Sequence, residues 1–176
     1  GVINVDGYET IKVSDYDSGG TALSMNLRDS SGIETIAVTG VGDATDMIDD
    51  ISLLNASSAL TLKVAGTYGD GTGADKILVT ANGSGSSDSL IISSNGGNFV
   101  SGDADSQMEA SGYETVTIQA GADDIDFVNT DKDMTLTLTG TTSLNVGGDL
   151  VADTDDGDIT LGTVAATSVT DLALTT

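Results

Sequence analysis

Gly7-Tyr8-Glu9-Thr10-Ile11-Lys12-Val13 sets the pattern from which the fold is read, and the chain repeats it twice. It returns as Gly32-Ile33-Glu34-Thr35-Ile36-Ala37-Val38 and as Gly112-Tyr113-Glu114-Thr115-Val116-Thr117-Ile118. Glycine allows a turn with positive φ, the large apolar residue anchors the strand entry, and the residues after Glu-Thr alternate in polarity. Three of the four Glu residues in the chain, Glu9, Glu34 and Glu114, hold the same motif position. In a turn, that Glu reads first as an acceptor for backbone amides and second as a cation ligand. The interval from Gly7 to Gly32 is a length that one turn of a stacked β repeat can occupy. The third copy begins only at Gly112, so the period is not strict.

Outward from these copies, two-residue alternation continues along nearly the whole chain. It predicts strands at 10–13, 22–27, 35–39, 60–65, 76–80, 89–93, 115–119, 124–128, 134–139, 143–146, 158–161 and 168–174. Met134-Thr135-Leu136-Thr137-Leu138-Thr139 is typical: Met and Leu share one face, and Thr, whose β-branch suits the pleat, takes the other. Clusters of Gly, Asp, Asn and Ser separate the strands, as tight turns require. Residues 46–56 break the pattern, because Met47, Ile51 and Leu54 recur at helical spacing behind Thr45 or Asp46 as an N-cap. This predicts one short helix covering an edge or end, with a weaker helical turn at 106–110. The expected fold is all-β: an elongated parallel β-solenoid with irregular turns, with a β-sandwich as the alternative. Residues 1–176 read as a single repeat-type domain. Because the chain starts at Gly1 without Met or a signal peptide, it is expected to be an internal piece of a longer secreted protein.

Composition narrows the function. Aromatic residues make up 3% of the chain (Tyr8, Tyr16, Tyr68, Tyr113, Phe99 and Phe127), so Val, Ile, Leu, Ala and Thr must fill the core, which suits thin stacked layers. There is no Pro, despite the many turns. The absence of Cys rules out disulfides and thiolate metal sites. The absence of His removes the commonest general base and the usual ligand of zinc, copper and iron. A net charge of −23 excludes nucleic acid and anionic membrane surfaces as partners, and no stretch is apolar enough to insert in a membrane. Such acidity can serve as a solvating surface alone. Asp greatly outnumbers Glu, however, and short carboxylates in Gly-rich turns are the ligands of hard cations.

The repeated Gly-(Tyr/Ile)-Glu-Thr-(Ile/Val)-x-(Val/Ile) element resembles one found in surface-layer proteins exported by type I secretion, members of the RTX group of calcium-binding secreted proteins. Several turns agree with that resemblance. Gly71-Thr72-Gly73-Ala74-Asp75-Lys76-Ile77, preceded by Asp70, matches the Gly-x-Gly-x-Asp-x-apolar core of the RTX nonapeptide. Gly83-Ser84-Gly85-Ser86-Ser87-Asp88-Ser89-Leu90 carries one residue too many, and Gly121-Ala122-Asp123-Asp124-Ile125-Asp126-Phe127 is a degenerate relative. In that nonapeptide the glycines turn carbonyls toward the ion, Asp closes the site, and the apolar residue starts an inward-facing strand. No two perfect copies follow one another at the nonapeptide spacing here, so one or two isolated sites are expected in place of a regular calcium roll. Asp103 with Asp105, and Asp153, Asp155, Asp156 and Asp158 around Gly157, are further candidates. So are Asp15 and Asp17, and the Asn129, Asp131, Asp133 alternation, which lacks the Gly and final Glu of an EF-hand. For each cluster the competing reading is a hydrated turn, although crowded carboxylates repel one another and a bound cation relieves them.

The resemblance implies an extracellular, cell-surface structural protein. It would assemble with copies of itself into a calcium-stabilised lattice and reach cell-surface polysaccharide through other regions. The alternative is a repeat or binding module of a type I-secreted adhesin or matrix protein. No enzymatic activity is expected: Arg28 is the only Arg, Lys12, Lys63, Lys76 and Lys132 are scattered, and the paired acids sit in turns on both sides.

Overall fold

The computed structural model describes residues 2, 4–16, 23–40, 51–68, 76–82, 85–101, 107–119, 125–126, 128–129, 132–133, 135–139, 143–147, 159–160, 163–166 and 171–175. Among them there are strands, bridges and turns, and no helix. The strands begin with Thr10–Tyr16 (β1), Leu23–Asn26 (β2), Thr35–Gly40 (β3), Ile51–Ala56 (β4), Ala59–Tyr68 (β5) and Lys76–Ala81 (β6). Ser89–Ser101 (β7), Gln107–Ser111 (β8), Thr115–Gln119 (β9), Ile125–Asp126 (β10), Val128–Asn129 (β11) and Lys132–Asp133 (β12) follow. Thr135–Thr139 (β13), Ser143–Gly147 (β14), Ile159–Thr160 (β15), Thr163–Ala166 (β16) and Asp171–Thr175 (β17) complete them.

Strands alternate between two sheets. One runs β1-β3-β5-β7-β9-β14-β17, with β10 and β15 attached beside β7, and the other runs β16-β13-β8-β6-β4-β2. All pairing within these sheets is parallel, and only the short β11–β12 ladder is antiparallel. Sequence neighbours in the two sheets therefore do not pair, unlike the hairpins of an antiparallel sandwich. Within these two sheets a strand pairs with strands that are not its immediate neighbours in the chain, as in Thr10 with Thr35 and Ile77 with Met108.

Parallel register stacks like on like. Ile11, Ile36, Leu62, Ile92 and Ile118 form one file, and Ile51, Ile77 and Met108 form another in the second sheet. Beyond the first strand these residues are fully buried, and the core they make is aliphatic except for Met25, Met108 and Tyr113. Each such burial is worth about 1.5–3 kcal/mol, which is how a chain so poor in aromatics holds a core.

The motif copies do not share one register. Thr10 pairs with Thr35 and Thr35 with Thr61, but Thr115 pairs with Ser89 and Ser89 with Ala59, two places earlier. A two-residue displacement keeps the alternation, so Val116 and Ile118 still face inward. The motif glycines Gly7, Gly32 and Gly112 all have φ near +80°, so the turn reading of the motif holds at each copy.

The predicted helix is corrected. Residues 51–56 form β4, between β2 and β6, and 46–50 lie outside the described residues. Ile51 and Leu53 are fully buried while Ser52 and Leu54 are partly exposed, which is strand alternation. Pairing of Ile51 with Leu23 and Ile77 supplies hydrogen bonds on both sides, which a helical apolar spacing over so short a run cannot outweigh. A shift in the β4–β6 register between Leu53 and Ala56 absorbs Asn55, whose φ of 55° suits a bulge. Its side-chain amide donates to Asn26 Oδ1 at 2.8 Å, tying two layers together. The weaker helical turn at 106–110 is likewise strand β8 from Gln107 on, with Met108 and Ala110 buried.

Candidate functional site

Among the described residues, one acidic side chain is buried, and it is a predicted metal ligand. Asp88 ends the Gly83–Asp88 stretch just before β7 and is 5% exposed. Its carboxylate folds back on Gly85 so closely that a Cβ there would sit 2.7 Å from Oδ2. A side chain at that position would have to displace the Asp88 carboxylate. The main chain of Asp88 is well held: its N–H donates to Glu114 Oε2 at 2.7 Å, and its carbonyl accepts from Thr115 N at 3.1 Å. Its Oδ2, by contrast, is buried with no hydrogen-bond partner. Leaving a buried acceptor unsatisfied costs about 1–3 kcal/mol, and more when it is charged.

The third motif copy builds this corner. Gly112, with φ near +80°, lies against Ala81, where an added Cβ would come within 3.1 Å of the Ala81 Cβ. Tyr113 follows and is fully buried, its hydroxyl donating to the Ser57 carbonyl at 3.1 Å, far back along the chain. That bond joins the approach to β9 to the residues just before β5, with β7 lying between these strands in the sheet. Burial, with the neighbouring Asp88 charge adding to it, holds the Tyr113 phenol well above its ordinary value of 10.0. Glu114 then takes the Asp88 amide, the role of turn-amide acceptor read for the motif Glu. Sequence reasoning singled out this Glu and read Tyr113 as the apolar anchor of the strand entry, but not its bond to Ser57, which lies too far along the chain for any local signal.

Most other predicted ligands lie outside the described residues: Asp70, Gly71, Gly73, Asp75, Asp103, Asp105, Asp123, Asp124, Asp153, Asp155, Asp156 and Asp158. Asp17 and Asp131 do too. Asp126 is in strand β10, paired with Val100 and Thr160. Asp15 is in β1, and Asn129 pairs with Lys132 across β11 and β12. No three acidic side chains come together among the described residues. A cation at Asp88 would have that carboxylate as its one acidic ligand with an unpartnered oxygen among the described residues. The orphaned Oδ2 is an oxygen of the kind that hard cations take as a ligand, since calcium is bound by carboxylate and carbonyl oxygens together.

A second feature lies on the outer face of the first sheet. Glu34, Thr35, Thr61, Ala59, Ser89 and Ile91 line a shallow groove of about 350 Å³. Arg28 is away from both, in an exposed pair with Asp29 at 3.4 Å, of a kind that contributes little to stability. Compared with the known protein families, the curated proteins and the solved structures, the chain matches none.

Proposed function

We propose that this chain is a structural domain of a calcium-stabilised, extracellular surface-layer protein, folded as a parallel β-solenoid and performing no catalysis. The alternation of strands between two parallel sheets, with pairing between strands that are not immediate neighbours in the chain, supports the solenoid reading. Asp88 carries the calcium reading: its buried Oδ2 lacks a partner in a turn that approximates a Gly-x-Gly-x-Asp site. Calcium there would neutralise a charge that the fold otherwise buries at a cost. Elsewhere it would relieve the repulsion within the Asp-rich turns of a chain of charge −23. Folding after export and ion binding then become one event, and copies of the domain assemble into a lattice at the cell surface.

Asp88→Asn tests this reading through a change of sign. In chelator the variant is expected to melt above the wild type, since no uncompensated charge is buried. In calcium it is expected to melt below, since the ligand is gone. Parallel shifts in both conditions would remove Asp88 as an ion site. The outer groove, with two Thr hydroxyls, Ser89, one carboxylate and the exposed Ile91, supports a second reading, a binding module of an adhesin. Saturable binding of a soluble glycan, abolished by Thr61→Val, would move that reading ahead.

A further inference from the structure

The strands of the first sheet do not start level, and the step between them forms the outer groove. Register pairs Thr35, where β3 begins, with Thr61 inside β5. β5 and β7 begin together, at Ala59 and Ser89, two places earlier in the register than β3. Both of those first residues are small, and the groove of about 350 Å³ lies over them. It spans β3, β5 and β7, inner strands that each have a partner on both sides.

The lining divides by chemistry. Leu60 and Ile91 give an apolar floor. Ile91 is exposed in an outward file whose neighbouring members, Thr35, Thr61 and Thr117, are all threonine. Thr35, Thr61 and Ser89 bring hydroxyls that both donate and accept, with Thr35 and Thr61 on adjacent strands about 4.8 Å apart. Glu34 brings a carboxylate, which only accepts, and no Lys or Arg lines the groove among the described residues. Glu34 and Glu114 hold the same motif position but face different neighbours. Glu114 turns to the layer before it and takes the Asp88 amide, whereas Glu34 borders the groove on the layers after it.

A ligand matched to these walls has an apolar face, several hydroxyls and a positive group. A sugar ring supplies the first two, C–H groups on its face and hydroxyls at its edge, and a protonated amine in place of one hydroxyl supplies the third. The groove is shallow, so one side of its ligand stays in water, which a saccharide tolerates and a hydrocarbon does not. Charge points the same way, because a chain of charge −23 repels acidic sugars and draws cations.

We propose that the groove binds an amino sugar of a glycan, with its free ammonium on Glu34, its hydroxyls on Thr35, Thr61 and Ser89, and its apolar face over Ile91. This rests on the binding-module reading of the groove and names the ligand class. The ammonium–carboxylate bond is charge-assisted, so it is the contact that selects a free amine over a hydroxyl or an acetylated nitrogen.

Calorimetric titration tests this, with the chain in excess calcium so that its Asp-rich turns are occupied. The probes are the disaccharide of glucosamine, its N-acetylated form and a glucose disaccharide. The glucosamine disaccharide is expected to bind saturably at one site per chain, about ten-fold more tightly than either of the others. Glu34 is exposed, so Glu34→Gln leaves the fold intact, and it is expected to remove that preference. Asp29→Asn, at an exposed acid outside the groove, is expected to change nothing. Thr61→Val keeps the β-branch and is expected to abolish binding of all three sugars. Equal affinity for the three, lost in Thr61→Val and unmoved by Glu34→Gln, overturns the amino-sugar proposal and leaves the binding-module reading standing. Binding of the glucosamine disaccharide that ignores both groove variants is adsorption to the acidic surface and overturns the proposal. The absence of saturable binding by any of the sugars overturns it together with the binding-module reading.

Discussion

Tyr113 ties distant parts of the chain together through one side chain, its hydroxyl bonded to Ser57 O and its phenol feeling the Asp88 charge. Tyr113→Phe removes the hydrogen bond to Ser57 O, and a loss of about 1 kcal/mol is expected in urea unfolding at neutral pH. The variant should also change the alkaline limb of stability. The phenol is held above its ordinary 10.0 in the folded state, so its contribution is complete below about pH 10. As pH rises further the unfolded chain ionises first, and stability falls by up to about 1.4 kcal/mol per pH unit. Unfolding measured from pH 9 to 11 should show this fall in the wild type and a shallower one in Tyr113→Phe. Gly85 is the other sensitive point. Gly85→Ala places a methyl group against the Asp88 carboxylate, and weaker calcium binding by titration is the expected result, with little change in chelator. A variant that binds as the wild type does would contradict the placement of Asp88 at an ion site.

At the scale of elements, the β class was legible because Thr and aliphatic residues alternate so regularly. Residues 115–119 and 35–39 read directly as strands for that reason. Ile51-Ser52-Leu53-Leu54 was not legible: adjacent leucines satisfy both a period of two and a helical spacing. Only the register with Leu23 and Ile77, both distant in the chain, decides between them. Truncation should therefore separate the two leucines. Leu53→Ala, at a fully buried site, is expected to cost about 2–5 kcal/mol, and Leu54→Ala much less. Equal losses in chemical denaturation would favour a helical face over β4. The two-place displacement of the third motif copy was illegible for a related reason, since an even slip leaves the inward and outward pattern of the sequence unchanged.

For the whole molecule, charge governs. With 28 acids against 5 bases, the compact state carries a self-repulsion that a divalent ion relieves better than screening does. The candidate site was legible only in outline. Asp residues in Gly-rich turns look alike in sequence whether solvated or ligating, and it is burial that marks Asp88 among the described residues. Its support by Glu114 was half visible in the repeated motif, whereas the bond of its neighbour Tyr113 to Ser57 could be found only through the fold.

The most direct test of the calcium-stabilised reading is a melting curve followed by circular dichroism, recorded in excess calcium and in chelator at matched ionic strength. Calcium at about a hundred-fold excess over its dissociation constant stabilises the folded state by about 2.7 kcal/mol per site. For a chain of this size, the account therefore predicts a Tm roughly 5–10 °C higher in calcium, with a gain of β signal. Identical spectra and identical melting in both conditions would contradict it and leave the carboxylates as a solvating surface.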